Sequence, residues 1–313
     1  MMPRAVNPQR FALLHCLMIA AFAPVLLSAS AYEPTVTIAL LGDVMLGRGI
    51  AFAHATGRWE QTLHSLAPIL QSADVATANL ESPIDCGTPA SANSRLLIAP
   101  SGSIAALTSA NLDIVSLANN HAGDDGDRGA RCTRDALKLH GISVLDSTSP
   151  LLFSVHGIRL AFLAVDFTDE SSTHVVEDLA HQVRDLRRDG DLVVISLHWG
   201  MEYQSGSDDL QKRIARALAE SGANILWGHH PHAVQETGWI GDTLVLYSLG
   251  NAVFDQWEPA TSQEGELAWV EADRQGIRFY AGIRFTIDPG LGQTGNIEPA
   301  TFRFSIAPRP SRE

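Results

Sequence analysis

Short runs of Val, Ile and Leu recur along the chain, and each one stops at a polar cluster. The runs are "TVTIALLG" (35–42), "DVATANL" (74–80), "LDIVSLA" (112–118), "ISVLD" (142–146), "IRLAFLAV" (158–165), "DLVVISL" (191–197), "ANILWG" (223–228) and "DTLVLYSLG" (242–250). Their length and branched, apolar content match strands buried on both faces. Between them "DDLQKRIARALAESG" (208–222) sets Leu210, Ile214, Ala217 and Leu218 at helical spacing and stops at Gly222. "GARCTRDALKLHG" (129–141) stops the same way at Gly141. From about Glu264 the chain turns β-rich in "GELAWVEA", "GIRFYAGIRFTI" and "ATFRFSIA", and "DPGLGQTGNIEP" between the last two reads as a turn or excursion. The class is α/β, with some antiparallel strands near the C-terminus. No linker or internal repeat interrupts the chain from residue 36 onward, so residues 32–313 are expected to form a single layered domain.

The polar clusters share one address. Asp43 follows the first run and Glu81 the second, in "NLES". Asn119, Asn120 and His121 follow the third, His198 follows "LVVISL", and His229, His230 and His232 follow "NILWG". Asn251 and Asp255 follow "LVLYSLG". Ligands of open α/β sheets bind outside the carboxyl ends of strands, so six such ends would converge on one rim. Singly, each residue reads as a cap or turn residue. Imidazole with carboxylate and amide oxygen, and no thiolate, suits Mn, Fe, Zn or Co, and one or two divalent ions are expected. The chain carries no G-x-x-x-x-G-K-[ST] loop and no G-x-S-x-G, and the Gly-rich "GDVMLGRG" stretch does not continue into a G-x-G-x-x-G.

The first 31 residues have the layout of a secretory signal. Arg4 and Arg10 precede the apolar stretch from Phe11 to Leu27, and Ala29-Ser30-Ala31 gives a small-x-small cleavage site. An uncleaved membrane anchor is the alternative. Cys16 is a poor lipoprotein cysteine, because His15 stands where a small residue is needed. This segment carries two arginines and no acid, so its removal takes the net charge from −13 to −15. Such an acidic surface repels polyphosphate backbones and argues against nucleic acid as a partner. The remaining cysteines, Cys86 and Cys132, suggest a disulfide in an oxidising compartment, with two unpaired thiols as the alternative.

In order, "GDVMLGR", "NLESPI", "SLANNHAGDDG", "HWGMEY", "GHHPHAVQ" and "YSLGNAVFD" resemble the signature blocks of the CapA (PgsA-type) capsule and poly-γ-glutamate synthesis family, over roughly residues 36 to 257. That family resembles a branch of the calcineurin-like metallophosphoesterases. The resemblance implies a four-layer α/β/β/α sandwich of mixed sheets with metal at the sheet edges. It also implies Asp43, Glu81, Asn120, His198, His230 and His232 as metal ligands, and His121 as the general acid facing the leaving group. His229 is expected to lie behind the ligands or in solvent. Proline suits position 231 because it stiffens the loop between the two ligand histidines.

One departure matters chemically. Metallophosphoesterases open with Asp-x-His, whereas Met45 stands two residues after Asp43 here. The site therefore loses an imidazole, which bears on whether two metals and ordinary phosphatase activity survive. Ala252 replaces a Phe of the family, a packing change. Arg48 reads either as an anion contact or as a salt-bridge residue. Asn119 is assigned to substrate contact, Asp124 to orienting a histidine or capping a helix, and Glu202 and Asp255 to support behind the ligands. Trp199 and Trp227 read as packing.

Three readings of function follow. The first is an exported metal-dependent hydrolase of phosphoesterase type, acting on an anionic envelope polymer or a phosphorylated precursor. The second is a polymer-binding or export component, working with other capsule-synthesis proteins without hydrolysis. A degenerate metal-binding module with a partner role is a third.

Overall fold

All eight apolar runs appear as strands. The structure is a computed structural model that describes residues 33–85, 87, 97–168, 175–190, 192–288, 294–297 and 303–305. In chain order the strands are β1 (Val36–Val44), β2 (Val75–Leu80), β3 (Ile114–Ser116), β4 (Ser143–Leu145), β5 (Leu151–Val155), β6 (Ile158–Asp166), β7 (Leu192–His198) and β8 (Ile225–His229). They continue with β9 (Thr237–Ile240), β10 (Thr243–Leu246), β11 (Asn251–Val253), β12 (Glu264–Asp273), β13 (Gly276–Ile287), β14 (Thr294–Ile297) and β15 (Arg303–Ser305). The helices are α1 (Arg48–Ala53), α2 (Ala67–Leu70), α3 (Ile104–Ser109), α4 (Gly126–Leu139), α5 (Val175–Arg188) and α6 (Asp209–Glu220).

One sheet runs in the order β14-β13-β12-β1-β2-β3-β4, with β11 added to the end of β1 and β15 to β13. Its β1 to β4 pairings are parallel, and β12 and β13 are antiparallel. The second sheet runs β5-β6-β7-β8-β10-β9, parallel through β6, β7, β8 and β10. Alternation along the strands then sorts the side chains into three cores. Ile38 and Leu40 on β1 meet Leu160, Phe162, Val194, Ile225 and Trp227 of the second sheet. Ala39 and Leu41, one residue out of phase, face Leu66, Leu70, Leu107 and Leu137 of the first helix layer. On the second sheet Leu163, Val193, Ile195 and Leu226 face Leu179, Val183, Ile214 and Leu218 of α5 and α6. The layers are therefore helix, sheet, sheet, helix: a four-layer α/β/β/α sandwich.

The structure differs from the sequence reading at several elements. The stretch read as a turn between the last two β-rich segments contains β14, which pairs antiparallel with β13. Strands β5 and β9 and helix α5 were not anticipated as elements. Helix α4 begins at Gly126, ahead of the expected start. Pro34–Glu313 groups as one compact unit, and the segment read as a secretory signal, residues 1–31, lies outside the described residues. Among the described residues, no helix is long and apolar enough to cross a membrane.

Candidate metal centre

Strand register brings the polar residues to one level. On the first sheet Asp43 of β1 stands opposite Asn79 of β2 and Asn251 of β11. On the second sheet His198 closes β7 opposite His229 at the end of β8. The two sheets are tied just below this level by the Trp227 indole, which donates to the Leu41 carbonyl at 3.0 Å. Gly42 allows the end of β1 to approach β11 closely. A Cβ there would lie 2.0 Å from the Gly250 carbonyl oxygen, to which the Asp43 amide donates at 2.9 Å.

The floor of the site is buried and charged. Asp43 and Glu81 are both 0 % exposed. The Asn79 amide donates to Asp43 Oδ1 at 2.9 Å and to Glu81 Oε1 at 3.1 Å, and lies 3.4 Å from Nδ1 of His198. Asn79 was not singled out from sequence, although it opens the quoted "NLES" block and falls on the register of Asp43. His198 Nε2 contacts Asn120 Oδ1 at 3.0 Å and approaches Glu81 Oε1 at 3.7 Å. His232 Nδ1 meets Asn251 Oδ1 at 2.9 Å and Asp43 Oδ2 at 3.5 Å, with its Nε2 3.9 Å from Glu81 Oε2.

These neighbours set the protonation. Burial works against the Asp43 charge, but the imidazoles of His229 and His232 outweigh it and hold Asp43 well below its ordinary range. Burial, then the Asp43 charge, pushes Glu81 well above its ordinary value. Burial also opposes a charged His232, yet Glu81 and Asp43 prevail and raise it to about 9. Burial followed by the charge of neighbouring histidines lowers both His198 and His230. Neutral imidazoles are the form that binds metal.

The loop after β8 is held in an uncommon backbone conformation. His230 and His232 both have positive φ, 92° and 52°. For a non-glycine residue each such position costs on the order of 1–3 kcal/mol and persists where the surroundings fix it. Here the His230 amide donates to Asp43 Oδ2 at 3.3 Å, and the Pro231 carbonyl accepts from the Tyr203 amide at 2.7 Å. His229 is 1 % exposed, which removes the expectation that it faces solvent. Its Nδ1 sits 3.1 Å from Asp43 Oδ1 without the alignment of a hydrogen bond.

The remaining expected residues fall around this floor. His121 is at the mouth, its side chain 23 % exposed, with Nδ1 3.1 Å from Asp124 Oδ2. Asp124 also accepts from the Leu97 amide at 2.7 Å. Asn119, assigned to substrate contact, is instead buried with its amide engaged. It donates to the Leu80 carbonyl and to Asn79 Oδ1 and accepts from the His121 amide, so it braces the ends of β2 and β3. Arg48 pairs with Asp255, which also accepts from the Gly49 amide at 2.9 Å. Glu202 stands exposed on the loop after β7, beside His230 and His232. Met45 is fully buried in the core beneath the first helix layer, and its sulfur accepts from the Gly47 amide at 3.1 Å. Ala252, Trp199 and Trp227 are buried packing residues. Cys132 on α4 is disulfide-bonded, and Cys86 lies outside the described residues.

The donor set fits a divalent ion. Asp43, Glu81 and His232 offer ligand atoms within 4.8 Å of one another, and Glu202, His230 and His232 do the same. Glu81 Oε2, both ring nitrogens of His229 and Nδ1 of His230 are buried without a hydrogen-bond partner. Buried polar atoms are almost always paired, so this many in one place suits a cation.

A family model described as bacterial capsule synthesis protein PGA_cap matches residues 37–256. The chain is 27% identical over 247 residues to the "PGA biosynthesis protein CapA" of Bacillus subtilis, covering 72% of this chain and 64% of that one. It is 28% identical over 248 residues to the "Capsule biosynthesis protein CapA" of Bacillus anthracis, covering 70% and 60%. It thus spans less than two thirds of the length of these two relatives. A "Probable polyglutamine synthesis accessory protein" of Mycobacterium tuberculosis is 25% identical over 284 residues, covering 70% of this chain and 74% of its own. Among solved structures, the chain is similar to a hypothetical protein from Thermus thermophilus, at 16% identity over 87% of this chain and 100% of that one, with a TM-score of 0.43.

Proposed function

The chain belongs to the bacterial capsule synthesis protein PGA_cap family, and from that premise we propose that it is an exported, metal-dependent hydrolase of phosphoesterase type in capsule or poly-glutamate metabolism. The names of its relatives support the pathway. The observation that carries the chemistry is the buried triad of Asp43, Glu81 and His232, with Glu81 Oε2 left unpaired beside it.

Asp43, Glu81, Asn120, His198, His230 and His232 would hold the metal, with Mn, Fe or Zn favoured by the nitrogen and oxygen donors. A bound divalent ion supplies Lewis-acid charge against a developing phosphoryl oxyanion. The chain's own residues do the rest. Asn79 and Asn251 fix the carboxylates and His232. Asp124 holds Nδ1 of His121, which leaves Nε2 as the nitrogen that passes a proton to a leaving oxygen at the mouth. Arg48, anchored by Asp255, supplies fixed positive charge near the rim for an anionic ligand.

Purified protein carrying one or two equivalents of Mn, Fe or Zn, and turning over a simple aryl phosphate, is the expected result. The double variant His230→Ala, His232→Ala should lose both, and His121→Ala only the turnover. Absence of metal from the wild-type protein after incubation with each ion and desalting would refute the reading. The burial of Met45 in the core, where an imidazole ligand stands in phosphoesterases, favours a second reading: metal-dependent binding of an anionic envelope polymer, alone or with other capsule-synthesis proteins, without hydrolysis. Metal without turnover, together with retention of poly-γ-glutamate, would select it.

A further inference from the structure

His232 belongs to both sets of converging donors. From the buried side it faces Asp43 and Glu81, and from the solvent side Glu202 and His230. The backbone holds Glu202 in that place. Gly200 and Tyr203, on either side of Met201 and Glu202, both have positive φ, 81° and 64°. The Tyr203 amide is bonded to the Pro231 carbonyl between the two histidines at 2.7 Å. The Tyr203 hydroxyl accepts from the Gln256 amide at 3.0 Å, and the oxygen of that Gln256 amide accepts from Asn251, the partner of His232. The turn that carries Glu202 and the loop that carries the histidines are thus locked together.

We infer that Glu202 is itself a metal ligand, holding an ion together with His230 and His232 on the solvent side of the Asp43, Glu81 and His232 cluster. Three observations carry this. The Glu202 carboxylate shares a 4.8 Å cluster with His230 and His232. Glu81 Oε2, fully buried and without a hydrogen-bond partner, lies 3.9 Å from Nε2 of the shared His232. Met45, whose position would otherwise supply an imidazole, has its side chain in the core and its sulfur on the Gly47 amide. A carboxylate from the β7 loop therefore replaces a donor that β1 does not provide. It also changes the character of the site, because a third carboxylate selects for harder ions than an imidazole does.

The inference rests on the metal reading above, and the test separates the two. Full-chain wild-type, Glu202→Gln and Glu202→Asp proteins are titrated with Mn²⁺, and free ion is read by its electron paramagnetic resonance signal. Glu202→Gln is expected to weaken at least one Mn²⁺ by tenfold or more, and Glu202→Asp to recover part of the loss. Glu202 is exposed, so an unchanged circular dichroism melt of the metal-free variants is expected to exclude misfolding. Equal Mn²⁺ affinity in wild type and Glu202→Gln would overturn the assignment while leaving the metal site standing. No Mn²⁺ binding by the wild type would overturn both.

Discussion

His232 ties the charge of the whole site together, because its ring lies between Asp43, Glu81 and Asn251. Burial disfavours its charge, and the two carboxylates overcome that and raise it from 6.5 to about 9. The metal-free fold therefore prefers the imidazolium. Its contribution is complete below the unfolded value of 6.5 and disappears as pH rises through about 9. In chelator, the melting temperature should fall between about pH 6.5 and about pH 9.5, by an amount on the order of 3 kcal/mol in stability. Replacing His232 with Gln should flatten that slope; an equally steep slope in the variant would place the titrating group elsewhere. A metal inverts the trend, because it needs the neutral ring and competes with the proton.

At the level of elements, β1 and β11 meet through glycine rather than through side chains. A methyl on Gly42 would press on the Gly250 carbonyl at 2.0 Å, backbone against backbone, where no rotamer can yield. Gly42→Ala is expected to cost about 1–3 kcal/mol in denaturant unfolding and, by moving Asp43, to lower metal affinity as well. A variant as stable and as metal-competent as wild type would show that the close approach is dispensable. The buried strands were legible in the chain because a strand covered on both faces needs an unbroken apolar run, as "DLVVISL" is. Asp43, Glu81, Asn120 and His198 were legible because those runs end at them. Strand β14 was hidden because its "TGNI" has little apolar content and gains its order by pairing with β13. Asn79 was hidden because it lies inside a strand, and its role depends on register with Asp43. The place of Glu202 depends on the contact between two loops, which no spacing within one segment reveals.

Across the whole molecule, the donors come from both sheets. Asp43 and Glu81 stand at the ends of β1 and β2, and His198, His230 and His232 at the ends of β7 and β8. The two sheets share the core of Leu40, Phe162, Val194 and Trp227. An ion held by these residues would therefore link the layers above that core, and it would bind only when both sheets are formed. Binding restricted to the native state stabilises it by about 2.7 kcal/mol when free ion reaches a hundredfold of Kd. For a domain of this size that corresponds to a rise of roughly 5 °C in melting temperature. A net charge of −13 could give a smaller, nonspecific gain with any cation. Asp43→Asn separates the two effects, since it removes one charge of many but one of few ligands. The expected outcome is a large Mn²⁺-dependent shift in wild type and almost none in Asp43→Asn, with Mg²⁺ at equal ionic strength giving little in either. A shift of the same size in the variant would mean that the cations act on the acidic surface at large and that the strand-end cluster does not hold the ion.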